Sequence, residues 1–358
     1  MTNRELFEQL ISQNRIDVLQ TSLFDTPPTN EGPINNNKLR GMLLGLAIGD
    51  ALGNTSEGYI PSYRFKMRGE IRDYLGNWHA SGRSVGIPSD DTQMAFWTLE
   101  SILEHDGVYL SDLAEKFTTR QIYGRGRSVG EFIRNYHQGN EWPEASSKSA
   151  GNGALMRIAV VLAAHKTNIT SDLWIDTALC SALTHNDRAS ISACTAFVGM
   201  LHELLSMSAA PDPEWWVKRY VEYASPLEGE KQYQPRGGYY LGKFSGSLSK
   251  FVQGTVPEAI ARNEDIVTAC NRWHSGAYLL ETVPCVLMIL SKHASDPEEA
   301  IVRAVNDTKD NDTIAAIVGA AVGALHGEAA IPKRWVDGLL GRTTSDDDGR
   351  VFELLDSL

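Results

Sequence analysis

The chain has 358 residues, long enough for one large domain or two and for a substantial buried core. Its 33 basic and 45 acidic side chains leave a net charge of −12, which argues against broad electrostatic binding to nucleic acid or to an anionic membrane. An anionic ligand would have to be held locally, by metal ions, helix N-termini or a few placed arginines.

The first residues, Met1-Thr2-Asn3-Arg4-Glu5, are charged and lead into no long apolar run, so no secretory leader is expected. Thr2 and Glu5 have the spacing of a capping box, and Leu6, Phe7, Leu10 and Ile11 then lay an apolar stripe on a short helix. Residues 25–37, rich in Pro and Asn, read as a linker. Residues 1–38 are therefore expected to form a mobile extension that engages a partner. The body, residues 39–342, reads as helix after helix, with no segment alternating well enough to make a sheet. Residues 343–358, an acidic run with a short amphipathic end, read as a tail.

The first body helix carries Gly41, Gly45, Gly49 and Gly53 on one face. Each glycine costs roughly 1 kcal/mol of helix propensity against alanine, so another backbone must approach closely to offset the bare face. Ala315, Ala316, Gly319, Ala320 and Gly323 make a second small face near the end of the chain. Crossing the two would bring Asp310 and Asp312 to the loop after Gly53, which holds Glu57; otherwise Glu57 is an ordinary surface acid. A membrane reading is poor, because Asp50 interrupts the glycine stripe and the longest apolar stretch, Ile314 to Leu325, is too short.

Ser89-Asp90-Asp91-Thr92 opens an apolar helix through Met94, Phe96, Leu99 and Leu103. Gly124-Arg125-Gly126-Arg127-Ser128 is a glycine-rich turn with two arginines able to grip phosphate, though a solvated turn is its default. Gly151-Asn152-Gly153 precedes a helix through Ile158, Val160 and Val161, whose free amides could receive a phosphate. Thr184-His185 and Trp273-His274-Ser275-Gly276-Ala277-Tyr278 each lead into a helix; a lone His is more often structural than a ligand, and Tyr278 can be core. Cys180, Cys194, Cys270 and Cys285 lie singly, as buried reduced thiols of a cytoplasmic protein would.

Asp310-Asn311-Asp312-Thr313 opens the last long helix. Asp, Ser and Thr are ordinary helix caps, but one oxygen suffices to cap, and each of these two starts stacks two carboxylates with a hydroxyl. Such crowding calls for a cation, and an all-oxygen donor set suits magnesium, manganese or calcium, not zinc. An EF-hand loop from Asp310 would need Gly and Glu where Ala315 and Ala321 stand. A haloacid-dehalogenase type of phosphatase would need a buried strand where Val305-Asn306-Asp307-Thr308-Lys309 reads as a polar loop.

In this order the motifs Gly-Asp-Ala-Leu-Gly with Glu57, Ser-Asp-Asp-Thr, Gly-Asn-Gly-Ala-Leu-Met-Arg, Thr-His, Ser-Gly-Ala-Tyr and Asp-Asn-Asp-Thr resemble the ADP-ribosylglycohydrolase family, including the dinitrogenase-reductase-activating glycohydrolases. The resemblance covers roughly residues 39–340. It implies an all-α orthogonal bundle around a cleft with two magnesium or manganese ions. Ser89, Asp90, Asp91, Asp310, Asp312 and Thr313 would hold the ions, and Glu57 or Asp91 would act on the scissile bond. Gly126, Arg127, Ser128, Ser149, Gly151, Asn152, Gly153, His185 and Tyr278 would face the substrate, an ADP-ribosylated protein modified on arginine. Ser89 stands where many relatives have Thr, and Ala150 where some have an aromatic near the adenine. An alternative is an immunity protein whose extension occludes an ADP-ribosyltransferase toxin, with hydrolysis as a second protection.

Overall fold

The computed structural model describes residues 1–29 and 32–358; Asn30 and Glu31 of the expected linker lie outside the described residues. Among the described residues the chain is helical throughout, and β pairing is limited to isolated bridges. It is an all-α protein. The first four α-helices are α1 (Asn3–Ser12), α2 (Asn36–Gly53), α3 (Pro61–Arg68) and α4 (Asp90–His105).

The centre of the molecule is the crossing of α2 and the helix Asn311–His326. A methyl group on Gly45 would run into the carbonyl of Gly319, one on Gly49 into that of Ala315, and one on Gly323 into that of Gly41. The two bare faces therefore meet backbone to backbone, and Gly53 comes to rest against the backbone of Asp312. Here the weak helix propensity of glycine is offset by contact that no side chain would permit. Both helices are buried almost from end to end.

The N-terminal segment is not a free arm. Its capping box forms, with Thr2 Oγ1 accepting from Glu5 N and Glu5 accepting from Thr2 N. The apolar stripe then lands on the helix Asp172–Ala182, burying Phe7 and Leu10, with the Phe7 and Phe24 rings 4.6 Å apart. Asn3 donates to Asp176 at 2.6 Å, Arg4 binds Asp172, and Asn186 is clamped between the backbone of Arg15 and Asp17. A one-sided apolar helix is unstable in water, and covering the stripe with its own body removes that cost.

The far end is likewise part of the body. Thr343 is buried and accepts from Gln93 Nε2 at 2.9 Å, while Val351, Leu354 and Leu355 join the core. Arg40 donates to the Leu355 carbonyl, and Arg350 pairs with Glu100 at 2.7 Å.

Two other expectations change. Leu155–His165 is a long 3-10 helix, a form made more accessible by the poor α preference of Ile158, Val160 and Val161. Among the described residues the helix Arg188–Ser206, and not Ile314 to Leu325, is the one long and apolar enough by length and composition to cross a membrane; here it is buried inside the protein.

Candidate active site

The crossing sets three acidic segments side by side. Asp90 and Asp91 begin α4, Asp310 and Asp312 begin the helix Asn311–His326, and Asp50 sits in the last turn of α2 just before Glu57. Neither Ser89 nor Asp310 uses its side chain to cap its own helix. Asp50 caps α4 from outside, accepting from Ser89 N at 2.8 Å, Thr92 N at 3.1 Å, and the hydroxyls of Ser89 and Thr92 at 2.6 Å each. That frees the carboxylates of Asp90 and Asp91 from capping, the ordinary task of acids at a helix start.

Two carboxylate trios result, Asp50 with Asp91 and Asp312, and Glu57 with Asp310 and Asp312. Within each trio the donor oxygens lie within 4.8 Å of one another, and Asp312 belongs to both. These clusters could bind metal ions. Oxygen-only donors fit a hard divalent cation, and Asp91 Oδ1, buried without any hydrogen-bond partner, is an acceptor that a cation would satisfy.

Burial and mutual repulsion push every acid of the cluster up. Asp90 rises to about 8, chiefly through burial and then through Asp50 and Glu57. Asp310 rises to about 7 through burial and Glu57, although Asn152 opposes the shift by donating to it at 2.6 Å. Asp91 and Asp312 rise well above the usual carboxylate range, and Glu57 and Asp50 rise too, again with burial as the main cause.

A raised carboxylate pKa means that the folded protein holds protons the unfolded chain would release. Without cations, the stability from these protons is complete below about pH 4 and is lost as pH rises through the folded values. The chelated protein should therefore melt several degrees lower at about pH 8 than at about pH 5, and added magnesium or manganese should raise the melting temperature more at the higher pH. Calorimetric scans at the two pH values test this; a cation effect equal at both would contradict it.

One buried cation holds the loops together. Arg64 of α3 is fully buried and donates to Ser56 Oγ and to the carbonyls of Ser56, Tyr59, Asn306, Thr308 and Lys309. It thus ties the Glu57 loop to the segment that delivers Asp310. Burial pulls its pKa down to about 10, still charged at neutral pH.

From the acid cluster a cavity of 690 Å³ extends between the two glycine-rich turns. Gly126, Arg127, Ser128, Ser149, Gly151, Asn152, Gly153, His185 and Tyr278 all line it, as do Glu57, Asp90, Asp310, Asp312 and Thr313. Ser89 and Asp91 do not; Asp91 is buried beneath the floor. The side-chain amide of Asn152 is turned to Asp310 and to Thr282 Oγ1, so it positions an acid of the cluster. His185 is buried, shares a hydrogen bond with Thr184 Oγ1 at 2.9 Å, and lies under Gly151 and Gly153. Burial and then the charge of Arg157 push it down to about 3, which leaves a neutral ring.

The far wall comes from residues that the sequence patterns do not single out. Lys231 pairs with Asp187 at 2.7 Å and with Asp17 of the N-terminal segment at 2.6 Å, Tyr233 donates to Asp187, and the Arg236 guanidinium lies 4.2 Å from the Tyr278 ring centre. With Arg127 they bring cationic donors to the cavity, Lys231 held by Asp17 and Asp187 and Arg236 beside Glu281. Their only sequence signal is an aromatic, basic and Gly-Pro-bearing stretch without periodicity.

Residues 32–357 match the family described as ADP-ribosylglycohydrolase. The chain is 26% identical over 324 residues to the ADP-ribosyl-(dinitrogen reductase) glycohydrolase of Rhodospirillum rubrum, covering 86% of this chain and 92% of that protein. It is 24% identical over 312 residues to the ADP-ribosylarginine hydrolase Tri1 of Pseudomonas putida (strain GB-1), covering 84% of this chain and 73% of that protein. A solved structure described as an ADP-ribosylglycohydrolase-related protein complex superposes with a TM-score of 0.65 at 26% identity, over 90% of this chain and 95% of that chain. The docked segment before residue 30 thus lies outside the family match, and most of the C-terminal stretch lies inside it. Matched over nearly its whole length, the chain belongs to the ADP-ribosylglycohydrolase family, hydrolases of the glycosidic bond to ADP-ribose.

Proposed function

We propose that the protein removes ADP-ribose from arginine side chains of modified proteins, in the cytoplasm, with two divalent cations, magnesium or manganese, at the acid cluster. The observation that carries this reading is the pair of carboxylate trios sharing Asp312, beside a cavity that Arg127, Lys231, Arg236 and two glycine-rich turns line. The names of the relatives support the linkage: one is called an ADP-ribosylarginine hydrolase.

Asp50, Asp91, Asp310 and Asp312, with Ser89, Asp90 and Thr313 beside them, would hold the cations. Bound there, they would polarise the ribose hydroxyls and a water molecule, stabilising negative charge at neutral pH. The diphosphate would meet Arg127, Lys231 and Arg236 and the backbone amides of the glycine turns. Glu57, exposed to the cavity, is the acid that can face the anomeric carbon, whereas Asp91 is too deep to touch substrate. In the reaction the water oxygen bonds to the anomeric carbon and the C–N bond breaks, its electron pair going to the guanidine nitrogen. A proton from the water ends on that nitrogen. Glu57 takes the proton from water and stabilises the oxocarbenium-like charge between the two events.

The test is release of ADP-ribose from an arginine-ADP-ribosylated protein, with and without chelator. Glu57→Gln should lower the rate by about 10³-fold while leaving part of the rise in melting temperature on adding cations, because the trio of Asp50, Asp91 and Asp312 keeps all its donors. Full activity in chelator, or an unimpaired Glu57→Gln variant, would sink the mechanism. Release from serine-linked but not arginine-linked substrate would sink the linkage.

A further inference from the structure

Glu57 stands where three cavities meet. The long one runs away from it between the glycine turns. A second, of 470 Å³, opens between the loop after α2, the turn around Trp78, and Tyr123. A third, of 370 Å³, is bordered by Arg236, His274 and Lys309. When ADP-ribose fills the long cavity, the group bonded to its anomeric carbon has to lie in one of the other two.

Aromatic surface separates these two. In the third cavity Lys309 and Arg236 are offset by Glu57, Glu281 and Asp310, and among its described lining residues no Trp, Tyr or Phe offers a ring. A guanidinium would find counter-charge there but no such plane to stack on. Among the described residues that line the second cavity, the one permanent cation, Arg342, is paired with Asp348, and the rings of Trp78, His79 and Tyr123 share the walls with amide, hydroxyl and aliphatic groups and with Glu57. Trp78 is 89% exposed, although nothing in the fold requires an indole there. Its turn is held by backbone and by Asn77: Asn77 Oδ1 accepts from His79 N at 2.9 Å, and the Asn77 carbonyl accepts from Ala80 N and Gly82 N. The rings of His79 and Tyr123 lie 5.8 Å apart on the same cavity wall. A rigid turn that offers a bare aromatic ring to water, next to the reactive acid, has the chemistry of a cation-binding face.

We propose that this second cavity is the subsite of the leaving side chain, and that Trp78 and Tyr123 present their ring faces to the guanidinium of the modified arginine. A planar guanidinium stacks on such faces, and Glu57 supplies a negative charge at the inner end. The assignment rests on the arginine reading above and adds the place where arginine is recognised. A serine-linked substrate, with a short neutral leaving group, has no plane to stack and gains little from either ring.

The experiment compares wild type, Trp78→Ala and Trp78→Phe on an arginine-ADP-ribosylated protein and on a serine-ADP-ribosylated peptide, with free ADP-ribose as a competitive inhibitor. Trp78→Ala should lower kcat/KM for the arginine-linked substrate by about tenfold and leave the inhibition constant of ADP-ribose unchanged, and Trp78→Phe should recover most of the loss. Because the indole is on the surface, the melting temperature should not move. Equal kcat/KM for wild type and Trp78→Ala on the arginine-linked protein overturns the subsite while leaving the functional reading standing. A parallel weakening of ADP-ribose inhibition also overturns it, since Trp78 would then belong to the ADP-ribose site. A wild-type protein inactive on arginine-linked substrate but active on serine-linked substrate overturns the functional reading, and the guanidinium subsite with it.

Discussion

Replacing Asp312 by alanine is expected to lower turnover by about 10³-fold or more and to abolish the stabilisation by divalent cations, yet to leave a protein that melts higher than wild type in chelator. Asp312 is the one acid common to both trios, so its loss removes a donor from each at once. Two effects oppose each other in the cation-free protein. Asp312 Oδ1 accepts from Thr313 N at 2.8 Å, and losing that bond costs about 0.5–1.5 kcal/mol. Against this, the carboxyl is buried among Asp310, Glu57 and Asp50 and pushed well above its usual pKa, with each unit of such shift equivalent to about 1.4 kcal/mol. Relief of the burial penalty, and of the repulsion that adds to it, outweighs the lost hydrogen bond. Asp91→Ala, which touches one trio, should retain part of the cation response. Calorimetric titration with magnesium or manganese and melting scans in chelator provide the check, and an Asp312→Ala protein that still gains stability from cations would refute the shared-ligand arrangement.

Gly45→Ala is expected to be severely destabilising, by about 3 kcal/mol or more, although alanine is the better helix former by about 1 kcal/mol. The new methyl would meet the Gly319 backbone carbonyl, which cannot rotate away as a side chain can, so the two helices would have to separate. Asp50 and Asp312 ride on those helices, and cation affinity should fall along with stability. A built-in control is Gly254, in the helix Leu248–Ala261, where a methyl would meet open space. Gly254→Ala should leave the protein as stable as wild type or raise stability by up to about 1 kcal/mol. Urea unfolding of the two variants separates the cases, and a Gly45→Ala protein as stable as Gly254→Ala would show that the crossing has slack.

The crossing and the acidic centre are legible in the sequence because each leaves a pattern too costly to be accidental. Four glycines at helical spacing need a partner backbone, and paired carboxylates at two helix starts exceed what capping uses. Asp50 reads only as an interruption of the glycine face, because its five hydrogen bonds come from residues on another helix and from Asn54, and no local pattern announces them. Arg64 escapes for a similar reason: its acceptors are carbonyls of distant loops, and a carbonyl has no residue identity to read. Lys231, Tyr233 and Arg236 sit in irregular chain, where periodicity carries no information. For the N-terminal helix the sequence shows an apolar stripe but not its landing place. A stripe specifies that something must cover it, and only the tertiary arrangement of the helix Asp172–Ala182 specifies what.

The central crossing joins the first body helix to one of the last, so it also governs the order in which the molecule can be built. A chain growing from its N-terminus holds α2, Glu57, Asp90 and Asp91 long before residues 311–326 exist, and through that period the glycine face of α2 has no partner. Closing so distant a contact carries the entropy of the whole intervening chain, which favours slow, late assembly. Cations have no trio to enter until Asp312 arrives, so they cannot template early folding and act only on the finished protein. A product cut short before residue 310 would thus carry most of the helices with neither a centre nor a metal site, and its bare helix faces would mark it for chaperones or proteases.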